Sequence, residues 1–269
     1  MPEHALGPGD ALHFDHQSPA AGNGVTFVFF NPLTGDAASW EASVAEPLRA
    51  EGHGSLLFNF RGQSGSPFGA RPITAQEIVA DARALISAQR PRRPVYVGLS
   101  IGGLFAARAH LEGMPCLGLL LINTLRTSST RLDWLNAAVH RCAMVGGGEL
   151  LRDLFSPLLM GPAWQEANRA AFLKAEAYQP LAPESGTAKL LAASATADWD
   201  LPYEQLAVPV IVLSGLQDRV FYDAVDVAGL ARRLPNAIRI DLPDAGHLIP
   251  MERPDAVVDA CLALARRVS

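Results

Sequence analysis

Val95-Tyr96-Val97-Gly98-Leu99-Ser100-Ile101-Gly102-Gly103 is a β-rich run that breaks into a glycine-flanked serine and passes directly into Leu104-Phe105-Ala106-Ala107-Arg108-Ala109-His110. It reads as strand, tight turn and helix. Gly98-Leu99-Ser100-Ile101-Gly102 fits G-x-S-x-G, in which glycines let the backbone make a strained strand-to-helix turn and the serine hydroxyl is lifted out of the sheet toward a pocket. The helix that begins there aims its free N–H groups and the positive end of its dipole at any negative charge formed at the serine. A five-residue pattern of this kind arises by chance about 0.1 times in a chain of this glycine and serine content. The strand before it and the helix after it make it far more specific.

Outward from this turn the chain alternates strand and helix. Val25-Thr26-Phe27-Val28-Phe29-Phe30 and Ser55-Leu56-Leu57-Phe58-Asn59-Phe60 are continuous β-rich runs, as strands buried on both faces read. Residues 11–15 alternate apolar and polar like a half-exposed strand, and a Pro/Gly/Asn turn follows over 18–24. Helices are expected over 38–51, capped by Asp36 or Ser39, and over 74–89, opened by a capping box of Thr74 with Glu77. The helix after Ser100 runs to about residue 112, and 117–122 is a further buried strand. From 125 to 201 no convincing buried strand occurs, only helical stretches with Trp134, Phe155, Trp164, Phe172, Tyr178 and Trp199 among them. Such a segment is expected to lie over the strand ends as a helical cap. Strands at 208–213 and 237–242 and helices at 223–233 and 254–267 complete the pattern, with Pro209 near a strand start, where a missing N–H is tolerated. Alternation of this kind requires a mostly parallel sheet with helices on both faces. The expected organisation is one core domain, 1–124 and 202–269, with the cap, 125–201, inserted in it.

Composition narrows the classes of partner. The chain has 269 residues, 49% of them hydrophobic and 18% charged, enough for one large globular core. A net charge of −5 argues against nucleic acid or an anionic membrane as a partner. Cys116, Cys142 and Cys261 are far apart in apolar surroundings, which suits buried thiols in a reducing compartment. Their spacing is not that of a metal site, so no metal is expected. The first ten residues have no apolar signal-peptide core, and the longest apolar run is too short to span a bilayer. A cytoplasmic protein is expected, its partner a small-molecule substrate, with a homodimer as the candidate assembly.

A serine hydroxyl needs a general base, and the base needs an orienting acid. His4, His13, His16 and His53 read as surface residues, His110 points away along the helix after Ser100, and His140 falls in the cap. His247, in Asp244-Ala245-Gly246-His247-Leu248, lies in a loop after the last strand at the end where the serine turn stands. It is the expected base, in the chain order serine, acid, histidine. For the acid, Asp218 follows the 208–213 strand, whereas Asp223 and Asp226 read as first-turn helix residues and Asp241 and Asp244 lie too near His247. The other place for an acid, after strand 117–122, holds Asn123. Arg126, Arg131, Arg141, Arg152, Arg169 and Lys174 are candidates to bind a carboxylate, but each reads first as a solvent-facing helix charge.

Gly98-Leu99-Ser100-Ile101-Gly102-Gly103, Gly215-Leu216-Gln217-Asp218 and Gly246-His247 together resemble the α/β-hydrolase fold superfamily, over almost the whole chain outside the cap. Arg61-Gly62-Gln63-Ser64-Gly65-Ser66 resembles its R-G-x-G-x-S loop with Ser64 in place of the second glycine, which makes Arg61 a structural anchor. Met251-Glu252-Arg253-Pro254 resembles its E-x-P step into the last helix. One loop departs: where the superfamily begins His-Gly, this chain has Asn31-Pro32-Leu33. The resemblance implies oxyanion donors at the backbone N–H groups of Leu33 and Ile101, so Pro32 does not occupy a donor position. Asn31 followed by Leu33 also resembles the enol-lactonases of aromatic catabolism. Asn31, with Trp134 and Trp164 of the cap, is expected to bind substrate. The implied activity is cofactor-free serine hydrolysis of a small ester, thioester or lactone, as by a carboxylesterase or an enol-lactonase. The alternatives are a carbon–carbon bond hydrolase acting on a vinylogous diketone and a non-catalytic ligand-binding homologue.

Overall fold

The computed structural model describes residues 1–20, 22–174 and 176–268. Ala21 in the expected 18–24 turn, Ala175 in the expected cap and the terminal Ser269 lie outside the described residues. Eight strands form one sheet: β1 Glu3–Gly7, β2 Asp10–Gln17, β3 Thr26–Phe30, β4 Gly54–Phe58, β5 Pro94–Leu99, β6 Leu119–Ile122, β7 Val210–Gly215 and β8 Ala237–Leu242. Their order is β1-β2-β4-β3-β5-β6-β7-β8, with β1 and β2 antiparallel and β3 to β8 mutually parallel. Both faces of the central strands are buried, as their continuous apolar runs require. Val28, Phe30, Leu56, Phe58, Tyr96 and Leu121 pack on one face under helices Ala75–Gln89 and Ile101–Leu111. Their neighbours in sequence, Phe27, Phe29, Leu57, Val95, Val97 and Ile122, pack on the other under the helical segment 38–50 and Pro254–Arg267.

Three local departures from the sequence reading have physical causes. Strand β1, Glu-His-Ala-Leu-Gly, carries little apolar signal and exists because it pairs with β2 at the sheet edge. The 38–50 segment passes through a π turn, Glu41–Ala45, just before Pro47, whose missing N–H interrupts the helical ladder. Only half of the expected capping box forms: Thr74 Oγ1 accepts from Glu77 N at 3.2 Å, while the Glu77 carboxylate turns to Arg61 and Arg71. Between β6 and β7 the described residues form no strand; the main helices are Thr130–Leu159, Pro162–Ala167 and Gly186–Ala193. The first of these breaks at Gly147, whose φ of 67° only glycine adopts cheaply. Among the described residues no helix is long and apolar enough to cross a membrane.

Candidate active site

The loops that follow β3, β4, β5, β6, β7 and β8 all leave the carboxyl end of the parallel sheet, the end at which open α/β sheets bind ligands. Ser100 stands on the turn after β5 with φ 58° and ψ −125°, a backbone strain of about 1–3 kcal/mol that the surrounding contacts must hold in place. Ser100 N donates to Ile122 O at 2.7 Å, and a side chain at Gly102 would collide with the carbonyl oxygens of Phe30 and Asn31. The pattern of small residues is therefore a packing requirement. A cavity of about 380 Å³ opens over the turn, lined by Ser100, Ile101, Leu33, Arg126, Trp199, Phe221 and His247 among others.

Asp218 and His247, buried on separate loops after β7 and β8, meet at 2.6 Å between Oδ2 and Nδ1. The other carboxylate oxygen, Oδ1, accepts from Val220 N at 3.0 Å and Phe221 N at 2.9 Å. Burial alone would raise the Asp218 carboxyl, but His247, the Phe221 N–H and the Arg126 charge outweigh it and hold the group below the usual carboxylate range. An ionised carboxylate only accepts, so the proton sits on His247 Nδ1 and Nε2 keeps its lone pair as a base.

Two residues without a chemical role of their own hold this pair in place. Asn123, at the end of β6, donates to Gly246 O at 2.9 Å and His247 O at 2.8 Å, while its Oδ1 accepts from Gly215 N at 2.8 Å. It joins the acid and base loops across the sheet end. Glu252 accepts from Gly161 N at 2.6 Å and from Gly246 N at 3.0 Å. Burial raises its carboxyl, against the pull of the Gly161, Gly246 and Leu248 N–H groups. Glu252→Ala would leave two amide donors unpaired, at about 1–3 kcal/mol each where they are buried. Urea unfolding should show a loss of at least about 2 kcal/mol, with Glu252→Gln intermediate; an Ala variant with an unchanged midpoint would refute the strut.

The loop after β3 explains how Asn-Pro-Leu stands where His-Gly was expected. Asn31 is fully buried: its amide nitrogen donates to Phe58 O and Gln63 Oε1, and its oxygen accepts from Trp40 Nε1 at 2.9 Å. Gln63 in turn donates to Pro32 O at 2.8 Å and to Leu33 O at 3.4 Å. Asn31 thus fixes the loop from beneath and does not line the cavity, contrary to the expectation that it binds substrate. Leu33 and Ile101 both line it beside Ser100. Trp134 is 74% exposed and Trp164 half-buried, and neither lines the cavity; the tryptophan of the segment between β6 and β7 that does is Trp199, 3% exposed. Arg61, the expected anchor, is buried against Asp10, Asp81 and Glu77.

Arg126 overturns its reading as a solvent-facing helix charge. It lies on the loop after β6, ahead of the helix, and is only 6% exposed. Its Nη2 donates to Ser100 Oγ at 2.7 Å and to Asn123 O at 3.1 Å. The guanidinium carbon stands 4.2 Å from the Phe221 ring centroid and 4.9 Å from that of Trp199. Burial pushes it down to about 10, against the attraction of Asp218 and Tyr203, so it stays a cation at neutral pH.

Comparison with known proteins agrees with this fold. The model of the alpha/beta hydrolase family matches residues 27–260. The bromoperoxidase-like protein BpoC of Mycobacterium tuberculosis is 26% identical over 250 residues, 90% of this chain and 94% of that protein. Among solved structures, a malate-bound thermophilic esterase from Thermogutta terrifontis superposes with a TM-score of 0.79 at 24% identity, covering 96% of this chain and 94% of the other. The enol-lactonase of Burkholderia xenovorans LB400 does so with a TM-score of 0.77 at 24% identity, covering 98% of this chain and all, 100%, of the other.

Proposed function

The chain belongs to the alpha/beta hydrolase family, and from that premise we propose that it is a serine hydrolase cleaving a small ester, thioester or lactone through an acyl-enzyme on Ser100. The observation that carries this reading is that His247, held by Asp218 at 2.6 Å, lines the same cavity as the strained Ser100. In the first half-reaction His247 Nε2 takes the Ser100 hydroxyl proton as Oγ attacks the carbonyl carbon. Asp218 stabilises the imidazolium that forms. The Leu33 and Ile101 N–H groups receive the oxyanion, the carbon–oxygen or carbon–sulfur bond breaks, and the leaving alcohol or thiol takes the proton back from His247. In the second half-reaction His247 deprotonates water, which attacks the acyl carbon and returns the Ser100 hydroxyl with release of the carboxylic acid. A panel of p-nitrophenyl esters, lactones and thioesters, run beside fluorophosphonate labelling, tests the reading. Labelling of Ser100 with turnover of at least one substrate class supports it, and absence of both rejects it.

The oxyanion assignment makes its own prediction. The proposed donor at Leu33 is backbone, so the N–H matters and the side chain matters less. Leu33→Pro should lower kcat about 10²–10³-fold, whereas Leu33→Ala should act mainly on KM and stability. Circular dichroism first establishes that both fold; equal, small effects on kcat would assign the oxyanion to other donors.

A further inference from the structure

Arg126 is a buried cation with no carboxylate in contact; Asp218 attracts it only from a distance. Among the described residues no carboxylate lies within 4.0 Å of its guanidinium, and its buried Nε donates to nothing. Both hydrogen bonds it makes leave from Nη2, to uncharged acceptors. The cavity it faces is lined by no aspartate or glutamate; its other formal charge, Arg152, is already paired with Glu149 and Asp153. Burying a charge without a partner is costly, and the faces of Phe221 and Trp199 compensate only in part. Those rings hold the plane of the fork, and its Nη1, which donates to no described residue and is not among the buried atoms, is the nitrogen left for an anion in the cavity.

We propose that Arg126 is the receptor for a carboxylate on the substrate, which is then an ester, thioester or lactone bearing a free carboxylate close to the reacting carbonyl. The proposal rests on the serine hydrolase reading above. Geometry sets the spacing. A carbonyl carbon poised for attack lies about 3 Å from Ser100 Oγ, and Arg126 Nη2 is 2.7 Å from the same oxygen. A carboxylate at hydrogen-bond distance from the fork is therefore about two to four bonds from that carbon. Monoesters of short dicarboxylic acids have this spacing. The carboxylate supplies a counter-charge in contact with the guanidinium, and Ser100 Oγ, which only accepts from Arg126, keeps its own O–H for His247.

The test compares the monomethyl and dimethyl esters of succinate and glutarate by titration of the acid released. The wild type should favour the monoester in kcat/KM by about 10- to 100-fold, the worth of one charged hydrogen-bonded contact. In Arg126→Leu that preference should collapse at least about tenfold, chiefly through KM, and Arg126→Lys should restore part of it. Calorimetric binding of glutarate to the Ser100→Ala protein, lost on adding Arg126→Leu, provides a readout independent of turnover. If Arg126→Leu does not fold, the wild-type preference and the Arg126→Lys variant decide. Equal use of both esters by a protein whose serine is labelled overturns the carboxylate receptor alone. Failure both to label and to cleave either ester, with glutarate still bound, overturns the hydrolase and leaves the receptor. Labelling without cleavage and without glutarate binding overturns the receptor.

Discussion

Ser100→Ala is expected to yield a folded protein whose kcat has fallen about 10⁴- to 10⁶-fold, the scale at which a triad serine acts. The fold should survive because the residue's structural work is done by its backbone. The positive φ at position 100 is held by Ser100 N bonding to Ile122 O and by the closeness of Gly102 to the end of β3, and neither involves the hydroxyl. The Oγ contact is with Arg126, which faces a cavity where water can replace it. A stability change below about 1 kcal/mol follows from the loss of that single bond. The stronger form of the prediction concerns coupling: Ser100→Ala with His247→Ala should be nearly as active as either variant alone, because the residues act as one unit. Additive losses, or a Ser100→Ala protein within tenfold of wild type, would require a different nucleophile.

How legible the protein was in its sequence depends on how local each role is. The turn at Ser100 is dictated by its immediate neighbours, since Gly98 and Gly102 must be small for the backbone to make it, so five residues were enough. Asp218 follows the buried strand β7 and His247 the half-exposed edge strand β8, both on short loops, and strand order carries them to the same end of the sheet. Asn123 and Glu252 are different. Asn123 was read only as a missing carboxylate, yet its amide binds residues more than ninety positions away. Glu252 was visible as a helix-start motif, and its grip on Gly161 was not. Asn31 stands out in the sequence because it departs from a family pattern, but whether its amide faces substrate or Trp40 is decided by the packing beneath the loop. Arg126 was one of several basic residues after β6. What separates it from Arg169, which pairs on the surface with Glu166, is burial between two aromatic rings, and one of those, Trp199, is 73 positions away in sequence. The available signal was position: Arg126 follows β6 by a few residues, at the sheet end where Ser100 stands.

Asp218→Asn should cost about 10⁴-fold in kcat, by trapping the wrong tautomer of His247. The direction in which the new amide points is set before any substrate arrives. Oδ1 of Asp218 accepts from the N–H groups of Val220 and Phe221, and an NH₂ group there would face two donors, so the asparagine oxygen must take that place. Its NH₂ is then left against His247 Nδ1, where it donates. The imidazole must carry its proton on Nε2, facing the serine, and can no longer act as a base. Asp218→Ala removes the carboxylate without imposing a tautomer, so the asparagine variant, although closer in shape, should be no more active than the alanine one. The same carboxyl contributes to stability with a defined sign. Its folded pKa lies below the unfolded value of about 3.9, so its contribution is present above that pH and is lost as pH falls through the folded value. Acid unfolding of Asp218→Asn should therefore be less steep than that of the wild type over that window. An asparagine variant within tenfold of wild-type kcat would mean that His247 is not oriented through Asp218, and that the base takes its tautomer from another partner.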